Sequence, residues 1–176
     1  MRATIRQLIA VSIFGAATTA SLSSVLAQST ASNIALDSAT RINAANALVR
    51  EGKTAEAIAD YQQVPVADAD REQLTYNLGV AEYRAGNIDA AKTYFTDASA
   101  SSQASLAARS RYNLGNCFYS DAVKAAEQDK SAAIESLRQA IGHYRGSLAA
   151  DPDLMDARAN IELAGQLLKK LQEEQK

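Results

Sequence analysis

Residues 76–98 read YNLGVAEYRAGNIDAAKTYFTDA, and this stretch decides the fold. We interpret it as two helices separated by Gly86, whose missing Cβ suits the left-handed end of a helix. Asn87 is predicted to cap the helix that follows. The small residues Gly79 and Ala91 would let the two helices approach closely, with bulky aliphatic and aromatic side chains around the contact.

This stretch is one copy of a repeat. Four small or aromatic residues recur at one constant offset: Ala45, Gly52, Ala57 and Tyr61 are matched by Gly79, Gly86, Ala91 and Phe95. By the same reasoning Gly52 is predicted to end the first helix, and Thr54 to cap the second. A fixed period between about 20 and 50 residues predicts a solenoid, here of stacked helix pairs.

A third copy is displaced by an insertion. Gly115 follows Gly79 at nearly the repeat offset, whereas Tyr144 lies much farther after Phe95, so extra residues separate the two helices of the third unit. The inserted segment is rich in helix formers, which predicts that it lengthens both helices into a protruding hairpin. Shared equally, about 13 extra residues would extend the pair by roughly 10 Å at about 1.5 Å per residue. A loose surface loop is the alternative.

The strings YNLGVAEYRAG and RYNLGNCFY, with the later Ala and aromatic residues in step, resemble the tetratricopeptide repeat family over about Ser38 to Pro152. The resemblance implies an all-α fold, a right-handed solenoid of three antiparallel helix pairs with a C-terminal capping helix. The expected units are residues 38–69, 70–101 and 102–152, with the cap at 153–176.

The last helix carries one apolar stripe at alternating steps of three and four residues. The stripe comprises Leu154, Ala157, Ile161, Ala164, Leu168 and Leu171. A solenoid needs a terminal element to cover its last repeat, and the stripe fits that role. A coiled-coil contact with another chain is the alternative, and it would make the protein a structural or assembly factor acting through this helix.

Residues 1–27 are typical of a cleavable signal peptide, and residues 28–37 of a linker. Arg2 and Arg6 give a positive start, an apolar segment follows, and Ala27 is the small residue that cleavage requires. We therefore expect an exported protein, periplasmic or secreted. The apolar segment is too short to remain as a membrane span. An ordinary N-terminal helix or tail is the alternative.

Charge and chemistry argue against several functions. The 18 basic residues are scattered and outnumbered by 20 acidic ones, which argues against nucleic-acid binding. Cys117, the single cysteine, is predicted to be a small buried hydrophobe, and His143, the single histidine, to lie at the surface or rim. No phosphate-binding loop, HExxH or CxxC motif is present. We expect no catalytic residue, cofactor or metal.

The family resemblance implies that the first helix of each pair lines a groove for a protein or peptide ligand. The implied groove residues are Asn43, Asn46, Arg50, Tyr76, Asn77, Tyr83, Arg84, Tyr112, Asn113, Asn116 and Tyr119. Asn43, Asn77 and Asn113 recur in phase, and their amides would bond either to a peptide backbone or between neighbouring helices. The clamp with which some members hold carboxylates is incomplete, because Ile42 replaces a basic residue.

The C-terminal third carries a further resemblance. YNLGNCFY, followed by a helix with Asn160, Glu162, Leu163 and Ala164, is similar to the repeat-bearing component of the bacterial Bat (aerotolerance) systems. This resemblance implies a place at the cell envelope beside partners with von Willebrand factor A domains.

Overall fold

The computed structural model describes residues 37–65 and 68–175, and these residues form helices and turns without a strand. The helices are α1 (residues 37–50), α2 (Thr54–Gln62), α3 (Asp68–Ala85), α4 (Ile88–Ala98), α5 (Ala104–Ala125), α6 (Lys130–Ala150) and α7 (Met155–Glu174). The predicted signal peptide and residues 28–36 lie outside the described part of the chain. Within the described part, no helix is long and apolar enough to cross a bilayer.

The helices pack in chain order as pairs, α1 with α2, α3 with α4 and α5 with α6, and each pair contacts the next. The predicted all-α repeat solenoid is confirmed. One aromatic side chain per unit is almost completely buried between the helices of its pair: Tyr61, Phe95 and Tyr144. Opposite these rings stand the small residues Ala45, Gly79 and Gly115.

The glycine–aromatic contacts leave no room for a side chain. A Cβ atom on Gly79 would lie 2.7 Å from Cε1 of Phe95, and a Cβ atom on Gly115 would collide with the ring of Tyr144. Both rings are buried and cannot move aside without disturbing the core. The distance between the two helices of a pair is therefore set by the absence of a Cβ at these positions.

Gly52 and Gly86 end α1 and α3 as predicted, with φ angles of +80° and +83°. In both turns a backbone N–H donates to a carbonyl five residues earlier. Lys53 N donates to Leu48 O and Asn87 N to Glu82 O, each at 2.9 Å. These bonds follow the Schellman pattern, which requires a left-handed residue at the turn.

The predicted side-chain caps of α2 and α4 are wrong. Asn87 stands at the N-cap position, but its Nδ2 donates instead to the Glu82 carboxylate at 2.8 Å. Glu82 is only 8% exposed, so this bond supplies a donor to a buried carboxylate. Thr54 is already inside α2, and Lys53 before it makes no side-chain cap bond.

The insertion in the third unit is helical, so the loose-loop alternative is wrong. It is not shared equally between the two helices: α6 has 21 residues against 11 in α4, and α5 has 22 against 18 in α3. Asp129 closes the turn between them, because its side chain accepts a hydrogen bond from Ala132 N at 2.9 Å.

The sequence predicts a third hairpin that protrudes from the solenoid. In the structure the hairpin does not stand alone, because α7 packs along it. The stripe residues Ala157, Ala164 and Leu171 are buried against α5 and α6. At the far end, Lys130 forms an ion pair with Glu174 at 2.9 Å, and Gln175 donates to Ser131. The stripe therefore caps the last repeat and is not available for a coiled coil with another chain.

Cys117 and His143 both belong to the packing of α5. Cys117 is completely buried, and burial raises the pKa of its thiol to about 12, so the predicted role of a small hydrophobe is confirmed. His143 is half-buried and stacks on Phe118, with ring centroids 5.2 Å apart. Burial lowers the pKa of His143, and the charge of Arg111 adds to the effect.

The glycine contacts generate a stability prediction. We expect Gly115→Ala to destabilise the protein by about 1–3 kcal/mol, because the added methyl group collides with the buried Tyr144 ring. Gly142→Ala is the matched control, since a Cβ there meets no atom within 4 Å in the same hairpin. The control should be stabilised by up to about 1 kcal/mol from helix propensity alone. Urea unfolding followed by circular dichroism measures both, and equal effects would contradict the packing argument.

Candidate peptide-binding groove

Helices α1, α3, α5 and α7 carry two neighbouring pockets. The α1–α3 pocket encloses about 210 Å³ and is lined by Asn46, Val49, Arg50, Tyr61, Tyr76, Asn77, Val80 and Arg84. The α3–α7 pocket encloses about 70 Å³ and is lined by Tyr83, Asn116, Tyr119, Tyr144, Asn160 and Leu163. Eight of the eleven groove residues implied by the sequence therefore line one of these two pockets.

A chain of hydrogen bonds joins the two pockets. Asn113 Nδ2 donates to Tyr76 OH at 3.1 Å, and Asn113 Oδ1 accepts from Asn116 Nδ2 at 3.3 Å. Asn116 Oδ1 in turn accepts from Tyr144 OH at 2.8 Å and from Asn160 Nδ2 at 3.1 Å. The pockets are thus parts of one surface that runs from α1 to α7, and we call it the groove.

The remaining three implied residues differ in their roles. Tyr112 supports the groove floor: its ring packs on Tyr144 with centroids 5.8 Å apart, and its hydroxyl accepts from Asn160 Nδ2 at 3.2 Å. Asn113 is occupied by the bonds just described. Asn43 is exposed on α1 and lines neither pocket.

The sequence analysis gives the recurring asparagines two possible roles, bonding to a peptide backbone or bonding between neighbouring helices. Different asparagines are suited to each role. Asn113 bonds between neighbouring helices, as in the second alternative. Asn77 accepts from Gln73 of its own helix at 2.9 Å through Oδ1, which leaves its Nδ2 as a donor in the α1–α3 pocket. Asn46 is similar, because its Oδ1 accepts from Tyr61 OH at 2.5 Å. Asn77 and Asn46 are therefore suited to bind a peptide carbonyl.

Basic side chains concentrate at the α1 end of the groove. Arg84 Nη1 donates to Val49 O at 3.1 Å, and the Arg109 guanidinium lies 4.9 Å from the centre of the Tyr76 ring. Burial raises the pKa of Tyr61, and the positive charges of Arg50 and Arg84 partly oppose that shift. Arg50 and Arg84 both line the α1–α3 pocket, so its lining carries two positive charges.

The polar and aromatic groups of the groove are suited to recognition. Neither pocket is lined by an Asp, Glu, His or Cys side chain. Burial raises the pKa of Tyr83 and Tyr144, which keeps both phenols neutral at physiological pH. Within the described residues, no cluster of His, Cys, Asp and Glu is suited to hold a metal ion. What the groove offers is hydrogen-bond donors, aromatic faces and positive charge.

The sequence analysis missed six lining residues: Val49, Tyr61, Val80, Tyr144, Asn160 and Leu163. A signal for the two tyrosines was present. The signal lies at the residue that directly follows the small residue of each first helix. This residue is Asn in the two units whose buried aromatic is Tyr, and it is Val80 in the unit whose buried aromatic is Phe95. The pairs are Asn46 with Tyr61, Val80 with Phe95, and Asn116 with Tyr144, and both Asn–Tyr pairs are hydrogen-bonded.

Comparison with known proteins identifies the repeat. The family model of the tetratricopeptide repeat matches residues 42–91 and 76–153, which together span more than half of the chain. A comparison with curated proteins finds no significant match. Tetratricopeptide repeats bind proteins or peptides and are generally non-catalytic. The chain therefore belongs to the tetratricopeptide repeat family, and it is a protein-interaction scaffold.

Proposed function

We propose that this protein is an exported scaffold that binds an extended segment of a partner protein along the groove. The observation that carries the proposal is the hydrogen-bonded chain of Tyr76, Asn113 and Asn116, which links the α1–α3 pocket to the α3–α7 pocket. An extended peptide has a carbonyl and an amide at every residue, so it can use spaced donors and acceptors along such a surface.

The two pockets would receive side chains of the bound segment. Leu163 is 49% exposed at the mouth of the α3–α7 pocket, beside the half-buried rings of Tyr83 and Tyr119. Exposed aliphatic and aromatic groups that converge on a pocket are typical of protein-recognition sites. The groove is preferred over the apolar stripe of α7, because the stripe is buried within the chain.

Proposed export and the proposed partner class rest on the sequence. The charged start, apolar segment and Ala27 support export through a cleaved signal peptide. The similarity of YNLGNCFY and the Asn160 to Ala164 segment to the Bat systems supports a partner with a von Willebrand factor A domain at the bacterial cell envelope.

Peptide selection tests the groove. We expect a random twelve-residue peptide library, displayed on phage, to yield peptides that bind the immobilised protein. Leu163→Lys should weaken these peptides at least tenfold, because it places a charged side chain at the mouth of the α3–α7 pocket. Fluorescence polarisation with the purified variants measures the dissociation constants.

Val123→Lys is the matched control for this experiment. Val123 is 51% exposed, close to the value for Leu163, and it lies on α5 but lines neither pocket. It should change peptide affinity less than twofold. If the library yields no binder, or if both variants weaken binding equally, the groove is not the binding site.

Export has its own test. We expect the mature protein to begin at Gln28, because Ala27 is the small residue preceding the cleavage site. Ala27→Arg should block cleavage and leave the leader attached, since the peptidase requires a small residue there. Intact-mass spectrometry of the exported fraction measures both. A wild-type exported protein that retains Met1 would contradict the proposal.

The partner class is tested by crosslinking in intact cells. A photoreactive phenylalanine analogue at Leu163 should form an adduct with a protein containing a von Willebrand factor A domain, identified by mass spectrometry. The same analogue at Val123 is the control for random encounters and should give no such adduct. Groove-specific adducts that contain only other kinds of protein would refute this partner class and leave the scaffold function intact.

A further inference from the structure

The α3–α7 pocket differs from the α1–α3 pocket in its charge. Among the described residues, no charged side chain lines the α3–α7 pocket, whereas Arg50 and Arg84 line the other. Arg84 follows Tyr83 in the chain, but its guanidinium reaches the other way and donates to Val49 O on α1 at 3.1 Å. The lining of the α3–α7 pocket therefore supplies no positive charge of its own.

The amide hydrogens of Asn160 in this pocket are both used inside the protein. Asn160 Nδ2 donates to Tyr112 OH at 3.2 Å and to Asn116 Oδ1 at 3.1 Å. Because an amide nitrogen carries two hydrogens, Asn160 has no donor left for a ligand. Its Oδ1 accepts no hydrogen bond from the described residues. Asn160 therefore offers an acceptor only, and its two bonds hold the amide in this orientation.

Two tyrosine hydroxyls add to this acceptor. Tyr83 and Tyr119 are half-buried in the lining, and within the described part of the chain neither hydroxyl is hydrogen-bonded. A hydroxyl oxygen has two lone pairs, so it can accept from a ligand. Asn116 offers less, because its Oδ1 already accepts two bonds and one of its amide hydrogens goes to Asn113. Three oxygens free of hydrogen bonds thus stand against one remaining amide hydrogen.

Aromatic faces give the pocket a second means of attracting a cation. Tyr83, Tyr119 and Tyr144 contribute to a lining that encloses only about 70 Å³. The face of an aromatic ring carries partial negative charge and attracts a cation within about 6 Å of the ring centre. Oxygen acceptors and aromatic faces together favour a group that donates hydrogen bonds and is positively charged.

We infer that the α3–α7 pocket binds the side-chain ammonium group of a lysine in the partner segment. This inference rests on the proposed function. An ammonium group is compact and has three N–H donors, which matches the three free oxygens of the pocket. A guanidinium is planar and has five donors, so a pocket this small would leave some of them without a partner. Leu163 at the mouth would contact the aliphatic stem of the lysine.

Peptides from the random library whose binding depends on Leu163 test this inference. We expect them to be enriched in lysine relative to the unselected library. In synthetic, Nα-acetylated versions, replacing that lysine by norleucine should weaken binding to the wild-type protein at least tenfold, because norleucine keeps the aliphatic stem and loses the ammonium group. Replacement by arginine or glutamine should weaken binding at least fivefold. Fluorescence polarisation measures the dissociation constants.

The double variant Tyr83→Phe/Tyr119→Phe removes two of the acceptors and keeps both rings. Since neither hydroxyl is bonded within the described residues, the variant should stay folded, which thermal melts by circular dichroism verify. It should bind the lysine peptide at least fivefold more weakly than wild type does, and the norleucine peptide within twofold of wild type.

Tyr94→Phe is the matched control. Tyr94 is a half-buried tyrosine on α4 whose hydroxyl is likewise unbonded among the described residues, and it lines neither groove pocket. It should leave the affinities for both peptides within twofold of wild type.

The possible results separate the two proposals. Peptides that depend on Leu163 but lack lysine, or that bind equally well with norleucine, would overturn the ammonium site and leave the scaffold function standing. The same holds if arginine or glutamine replaces the lysine without loss, or if the double variant weakens the lysine and norleucine peptides equally. Loss of binding on Nα-acetylation would overturn the side-chain assignment. If no selected peptide depends on Leu163, the proposed function itself is wrong and the inference fails with it.

Discussion

The contact between a small residue on one helix and a buried aromatic ring on the next is the constraint on which this structure depends. Gly79 against Phe95 and Gly115 against Tyr144 bring the two helices of a pair together without a side chain between them. That closeness has a second effect. It lets the Tyr144 hydroxyl pass between the helices and bond to Asn116 on the groove, so a core residue also orders the binding surface. In the third unit, packing and recognition are coupled through this one side chain.

Much of the fold could be predicted from the sequence, because the contact uses few residue types at fixed offsets. The glycines at 79 and 115, and the aromatics that follow them, mark the pairs even where an insertion lengthens the third unit. Details that depend on competition between partners could not be predicted. Asn87 is a good capping residue by type, but the buried Glu82 carboxylate takes its amide. The burial of Glu82 is a tertiary property that the repeat pattern does not specify.

The groove was harder to predict for the same reason. Asn77 and Asn113 have the same residue type and equivalent repeat positions. Asn77 keeps an amide donor for the α1–α3 pocket, whereas the amide of Asn113 bonds to Tyr76 on the neighbouring helix. The difference arises from their neighbours, Gln73 and Tyr76, which a repeat pattern does not specify. Leu163 was missed because α7 has no second helix and so appeared to be only a cap. In the structure α7 also lines the α3–α7 pocket, through Asn160 and Leu163.

The position of α7 links the third hairpin to the binding surface. Its C-terminal end is tied back to the start of α6 by Lys130 with Glu174 and by Ser131 with Gln175. Farther towards its start, Asn160 and Leu163 line the α3–α7 pocket. A change that shifts the third hairpin would therefore reach the groove through this one helix.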